Sequence, residues 1–75
     1  MSQHDEIMKA DGFDEAIIGT DYRTDRIVYS VYKCVKILMK RDRMAFDEAL
    51  EFLEFNTFSA YVGEGTPIFV DDITV

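Results

Sequence analysis

Cysteine, proline and histidine each occur once among the 75 residues, and tryptophan is absent. A single thiol, Cys34, excludes an intramolecular disulfide and fits a reducing compartment. The one histidine, His4, lies in a polar N-terminal stretch read as mobile, so acid–base or metal chemistry built on imidazole has no support. Basic residues are scarce too: eight Lys and Arg stand against fifteen Asp and Glu, a net charge of −7. That balance excludes sequence-independent binding to nucleic acid, which needs a basic surface, and equally adhesion to an anionic membrane. No run approaches the ~18 apolar residues that span a bilayer. The opening Met1-Ser2-Gln3-His4-Asp5-Glu6 is acidic where a signal peptide is basic and then apolar. The expected address is the cytosol.

What is present is apolar residues at 48%, with six Phe and four Tyr, too many for an intrinsically disordered chain. The length allows one domain, residues 1–75, and excludes a barrel or a doubly wound sheet with a nucleotide crevice. It also leaves stability marginal, because a chain near 60 residues buries only about 60% of its unfolded surface. With no disulfide or metal cluster as a staple, a partner chain is one way to add buried area. Self-association is therefore expected to compete with other uses of the surface.

The first ten residues read as mobile or as part of a short helix over 5–11, ended by Gly12. Ala16-Ile17-Ile18-Gly19 and Arg26-Ile27-Val28-Tyr29-Ser30 are β-prone and flank a polar link over 20–25, the pattern of a hairpin. From Val31 the period changes. Val31, Cys34, Val35 and Leu38 fall on one side, with Lys33, Lys36 and Lys40 on the other, which predicts an amphipathic helix over 31–41. A second helix is predicted from Phe46, with Asp47 and Glu48 in its first turn. Phe46, Ala49, Leu50, Leu53, Thr57, Ala60 and Tyr61 form its stripe, and Gly63-Glu64-Gly65 ends it. Phe52, Phe55 and Phe58 lie off that stripe, so this helix is buried on two sides or covered by a partner. A strand over 66–70, with Pro67 at its start, completes a β-β-α-α-β order. The predicted class is α+β: two helices packed on one face of a three-stranded antiparallel sheet.

The segments 33–39, Glu48-Ala49-Leu50-Glu51, Glu54-Phe55-Asn56 and Ala60-Tyr61-Val62-Gly63-Glu64-Gly65-Thr66-Pro67-Ile68-Phe69, with the upstream 11–19, resemble a family of small uncharacterised proteins. Its members are encoded chiefly by bacteriophages, with relatives in bacteria and some large DNA viruses. The resemblance covers most of the chain and is most specific over 55–69, where Asn56, Tyr61, Gly63, Thr66 and Pro67 stand as signature positions. Family members carry Ser or Thr where this chain has Ala45, so the second helix is expected to fray at its start. They also often have Gly in place of Ser59 and Trp in place of Tyr61. The resemblance implies a viral or prophage context in the host cytosol and brings no catalytic residue, cofactor or metal.

The residues that carry chemistry elsewhere have plainer readings here. Asp47, Glu48, Glu51 and Glu54 lack the Glu-x-x-His pair of a di-metal bundle and read as a solvated acidic face. Cys34 sits on an apolar stripe and reads as an inert core thiol, although Lys33 and Lys36 flank it. The 63–66 segment lacks the length and the Gly-Lys-Ser/Thr ending of a phosphate loop and reads as a turn. Asn56 is expected either to bond that turn and pin the last strand or to face a ligand. No enzymatic activity and no cofactor are expected.

Charge is unevenly spread: residues 1–25 carry −5, residues 26–43 carry +5 and residues 44–75 carry −7. The ridge Lys33, Lys36 and Lys40 either pairs with acids of the neighbouring helix or meets an acidic partner or a second copy. The leading functional expectation is a non-enzymatic accessory protein that binds a host or phage protein. Phe52, Phe55 and Phe58 would be its apolar anchors, and a homodimer would compete for the same surface. One alternative is a DNA mimic presenting Asp47, Glu51 and Glu54, weakened by the basic middle third. Another is a nucleotide sponge in which Tyr22, Tyr29, Tyr32 and Tyr61 stack bases and the lysines hold phosphates.

Overall fold

The computed structural model describes residues 7–61 and 63–73. Strand β1 (Ile17–Thr20) and strand β2 (Ile27–Ser30) form the expected hairpin, helices α1 (Val31–Arg41) and α2 (Phe46–Asn56) follow, and strand β3 (Ile68–Val70) closes an α+β fold. The hairpin loop is held by Asp21, whose carboxylate accepts from the Thr24 amide at 2.9 Å and the Thr24 hydroxyl at 2.8 Å. Asp25 takes a left-handed φ of 63° there, which its short polar side chain tolerates. One extra residue, Ile18, bulges from β1, shifting the register between the Ile17–Tyr29 and Gly19–Val28 pairs.

The sheet is mixed, not antiparallel. β2 lies between the other two strands and pairs with β3 in parallel, Val28 beside Ile68, Tyr29 beside Phe69 and Ser30 beside Val70. The reason lies between α2 and β3. The chain first docks against the N-terminal segment, where the Met8 amide donates to Gly65 O at 3.0 Å and Tyr61 Oη to Lys9 O at 3.4 Å. Only then does it enter the sheet, from the same end as β2. A parallel crossover of this kind requires a long connection, and two helices supply it.

The same docking removes the expected N-terminal helix. Over residues 7–11 the chain is not helical, because the Met8 amide goes to Gly65 and the Ala10 amide donates to Tyr29 Oη at 2.7 Å. Residues 5 and 6 of that expectation lie outside the described residues. Gly12, at φ 86°, turns the strap toward a short 3₁₀ turn, Asp14–Ala16.

α1 starts without any loop after β2, since Ser30 is both the last strand residue and the helix N-cap, accepting from the Lys33 amide at 3.0 Å. Val31, Cys34, Val35 and Leu38 are buried as their spacing predicts, and Lys40 and Arg41 occupy the last turn, where the helix dipole favours cations. Ala49 and Leu53 bring α2 onto this core, with Ala10, Phe13, Ala16 and Tyr29 beneath. Rings continue outward from it: Tyr29 stacks on Phe69 at 5.4 Å between centroids, and Phe58 lies tilted against Phe69 at 4.5 Å.

α2 opens at Phe46, and Ala45 before it has no side-chain acceptor to cap the helix. Glu48 supplies half of a capping box alone, Oε1 accepting from the Ala45 amide at 3.3 Å. Ala45 is exposed with an extended backbone (ψ 163°), the conformation of an N-cap. The substitution Ala45→Ser is therefore expected to raise stability by about 1 kcal/mol, read as a higher urea midpoint at unchanged m. An unmoved midpoint would show that the first turn has no unmet donor to satisfy.

The helix stops at Asn56, five residues before the expected Tyr61. Asn56 and Ser59 bond back to the Phe52 and Phe55 carbonyls at 3.2 and 3.1 Å, and such back-bonding offers the helix backbone a competitor. Thr57 leaves helical geometry at φ −119°, and Phe58–Ala60 continue as a 3₁₀ turn. The predicted stripe is divided: Thr57 is buried, Tyr61 half-buried and Ala60 exposed.

Candidate functional site

The outward sides of the two helices carry opposite charge. On α1, burial of Val31, Cys34, Val35 and Leu38 forces Lys33, Lys36 and Lys40 outward, and all three are exposed. Lys36 lies over the Tyr32 ring, Nζ 5.7 Å from its centre. The expected pairing of this ridge with acids of the neighbouring helix does not occur. Among the described residues the ion pairs are Lys9–Asp14 at 3.4 Å and Arg41–Asp42 at 3.5 Å. The lysines instead form one wall of an open groove of about 730 Å³ whose other wall carries Lys9, Asp11, Asp14 and Glu15.

Arg41, at the foot of the groove, is engaged within the fold. Its Nη1 donates to Gly12 O at 3.2 Å and its guanidinium sits 5.5 Å from the Phe13 ring centre. A Cβ on Gly12 would come within 3.0 Å of that nitrogen, so close approach and positive φ both favour glycine.

On α2 the outward side is acidic and aromatic. Phe55 is 72% exposed and Phe52 36%, three residues apart on one face with Glu48 and Glu51 beside them. Phe58, grouped with them on sequence, goes elsewhere: the 3₁₀ turn brings it onto Phe69, at a cavity of about 450 Å³ lined also by Val31, Leu50 and Ile73, with Glu54 and Asp71 beside them. Its share in a surface contact is smaller than its spacing implied.

Asn56 is exposed and, among the described residues, bonds its own helix rather than the last strand or the 63–66 turn. That turn is made by Gly63 and Gly65, at φ 93° and 81°, with the Thr66 hydroxyl donating to Gly63 O, and Pro67 is buried behind it. Val62 lies outside the described residues, as does His4.

The tyrosines are dispersed in environment. Tyr22 is 97% exposed on the hairpin loop and Tyr32 is exposed on α1, but Tyr29 is fully buried and Tyr61 is tied to Lys9. No base can reach Tyr29. Cys34 is likewise buried, and desolvation, helped by the Asp72 carboxylate, pushes its thiol up to about 12, far from a nucleophile's range.

One constellation escaped the sequence reading. The parallel β3 delivers Asp72 to the start of α1, where its carboxylate accepts from the buried Ser30 hydroxyl and from the Tyr32 amide at 2.9 Å. These bonds hold the Asp72 carboxyl below the usual carboxylate range, the Ser30 contribution being the largest. Ser before an amphipathic run is a recognisable cap signal. Nothing local ties it to an acid 42 residues away.

Among the described residues no helix is long and apolar enough to cross a membrane. No family model, curated protein or solved structure matches the chain.

Proposed function

We propose that this chain is a small, non-enzymatic accessory protein of phage type that works in the host cytosol by binding a host or phage protein through the outer face of α2. The observation that carries the reading is the exposure of Phe55 and Phe52 side by side on a helix already anchored by Ala49 and Leu53. The fold does not need these rings outside, and a solvent-facing Phe pair rimmed by Glu48 and Glu51 has the make-up of an interface centre with a polar rim. The phage context comes from the family resemblance. Mimicry of a nucleic-acid duplex is the weaker reading, because exposed Lys33, Lys36 and Lys40 flank the acidic row Asp47, Glu51, Glu54 with the wrong sign.

The test compares the whole chain with its Phe52→Ala/Phe55→Ala variant as bait in lysate of the natural host. Substitution at exposed positions is expected to change stability by about 0.5 kcal/mol or less per site. Recovery of the specific partner is expected to fall at least ~10-fold, as for loss of an aromatic hot spot. Equal recovery by both baits would move the contact off this face.

A further inference from the structure

We infer that the surface partner includes a second copy of this chain, in a two-fold dimer that lays the lysine ridge of each α1 against the acidic, aromatic face of the partner's α2. The inference rests on the reading of α2 as a contact face. It adds the identity of an occupant and assigns a use to the α1 ridge.

Charge supplies the complementarity. α1 contains three Lys and one Arg and no acid, while α2 contains Asp47, Glu48, Glu51 and Glu54 and no base. Neither ridge finds an ion-pair partner on the other helix of its own chain among the described residues. The helices, each 11 residues long, pack on one another across the short link 42–45, and Val31 at the start of α1 shares a cavity with Leu50 and Glu54 in the second half of α2, so they run antiparallel.

Two in-plane axes can stack such hairpins face to face. An axis across the helices sets α1 on α1 and α2 on α2, Lys against Lys and Glu against Glu. An axis along them sets each α1 on the partner's α2, and only that arrangement pairs opposite charges. Lys36 and Glu51 are the middle residues of their helices, so in this stacking they meet halfway along them, once on each side of the two-fold axis. Phe55, at the outermost line of α2, is then covered by the methylene stems of the lysines and by Tyr32, groups that bury apolar length while their polar ends stay wet.

Size sets the strength. Two helices of about 16 Å length and about 10 Å width project roughly 300–350 Å². A permanent interface takes about 800 Å² from each partner, a large part of the 5296 Å² this chain exposes. The dimer is therefore weak and concentration-dependent. A net charge of −7 on each copy opposes it at long range, so it is favoured near ~0.15 M salt, where that repulsion is screened, and lost near 1 M, where the Debye length is about 3 Å.

Sedimentation equilibrium of the full chain, from about 10 μM to about 0.5 mM, tests this with Lys36→Glu, Glu51→Lys and the double variant. Both positions are exposed, and the double variant keeps the parent net charge. The parent mass is expected to rise toward twice the chain mass across this range at ~0.15 M salt. Each single reversal should weaken association at least ~10-fold, because like charges then face each other twice. The double variant, and an equimolar mixture of the two singles, should restore it to within ~3-fold. A parent that stays monomeric throughout, or singles that associate as well as the parent, overturns the dimer. If the Phe52/Phe55 bait still loses its partner in that case, the accessory-protein reading stands alone; if it does not, both fail.

Discussion

Tyr29→Ala is expected to cost about 3–5 kcal/mol and leave the chain largely unfolded in mild denaturant. A domain of 75 residues has about 4–11 kcal/mol of stability in total, so one such change removes much of it. The size of the effect follows from where the ring sits. Tyr29 is the largest fully buried side chain, in the central strand, stacked on Phe69, with its hydroxyl accepting from the Ala10 amide. Tyr29→Phe separates the two contributions, keeping the ring and orphaning that buried amide at a cost of about 1–3 kcal/mol. Hydrogen exchange at residues 8–10 is expected to speed up in the Phe variant while exchange in α1 changes only with global stability. Equal midpoints and equal exchange in parent and Phe variant would show that the hydroxyl does not hold the N-terminal strap.

The buried phenol and thiol also set an alkaline limit. Burial raises the Tyr29 phenol above its ordinary value near 10 and the Cys34 thiol to about 12. A group whose folded-state pKa is raised adds stability that is full below its unfolded value and drains away as pH climbs toward the folded one. Cys34 begins this loss near pH 9 and Tyr29 near pH 10, so Tyr29→Phe should leave the onset near pH 9 and make the fall above pH 10 shallower.

The strap, the core and the helix faces were not equally legible in the sequence. α1 was readable to the residue because its burial pattern is local: four apolar positions at helical spacing, opposed by three lysines. The outward placement of Phe52 and Phe55 followed from the same geometry on α2. Phe58 did not, since its position depends on the helix ending at Asn56, and the apolar period runs on past that point whether or not the backbone does. The direction of β3 was hidden for a different reason. Three apolar residues pair equally well either way, and what decides is the path of the preceding loop, fixed partly by a backbone bond from Met8 to Gly65 that no side-chain pattern encodes.

That hidden direction produces the second large effect. Because β3 runs parallel to β2, its exit places Asp72 against the first turn of α1, and the helix is capped twice: by Ser30 from within and by Asp72 from across the sheet. Ser30→Ala is expected to cost about 1–3 kcal/mol. It removes the acceptor for the Lys33 amide and strips the buried end of α1 of the hydroxyl that also binds Asp72. Asp72→Asn should also destabilise, and the two changes together should cost less than their sum, because either one removes the charge-assisted hydrogen bond between the two side chains. Additive costs would show that the two caps act independently. The pH dependence has a definite sign. Asp72 titrates below an unfolded aspartate, so its contribution is complete above about pH 4 and is lost as pH falls through the folded value. In Ser30→Ala the largest cause of that depression is gone, the Asp72 carboxyl moves back toward its ordinary range, and the acid limb of unfolding becomes shallower. An acid limb identical in parent, Ser30→Ala and Asp72→Asn would place the acid sensitivity on other carboxylates and leave the cross-sheet cap without a role in stability.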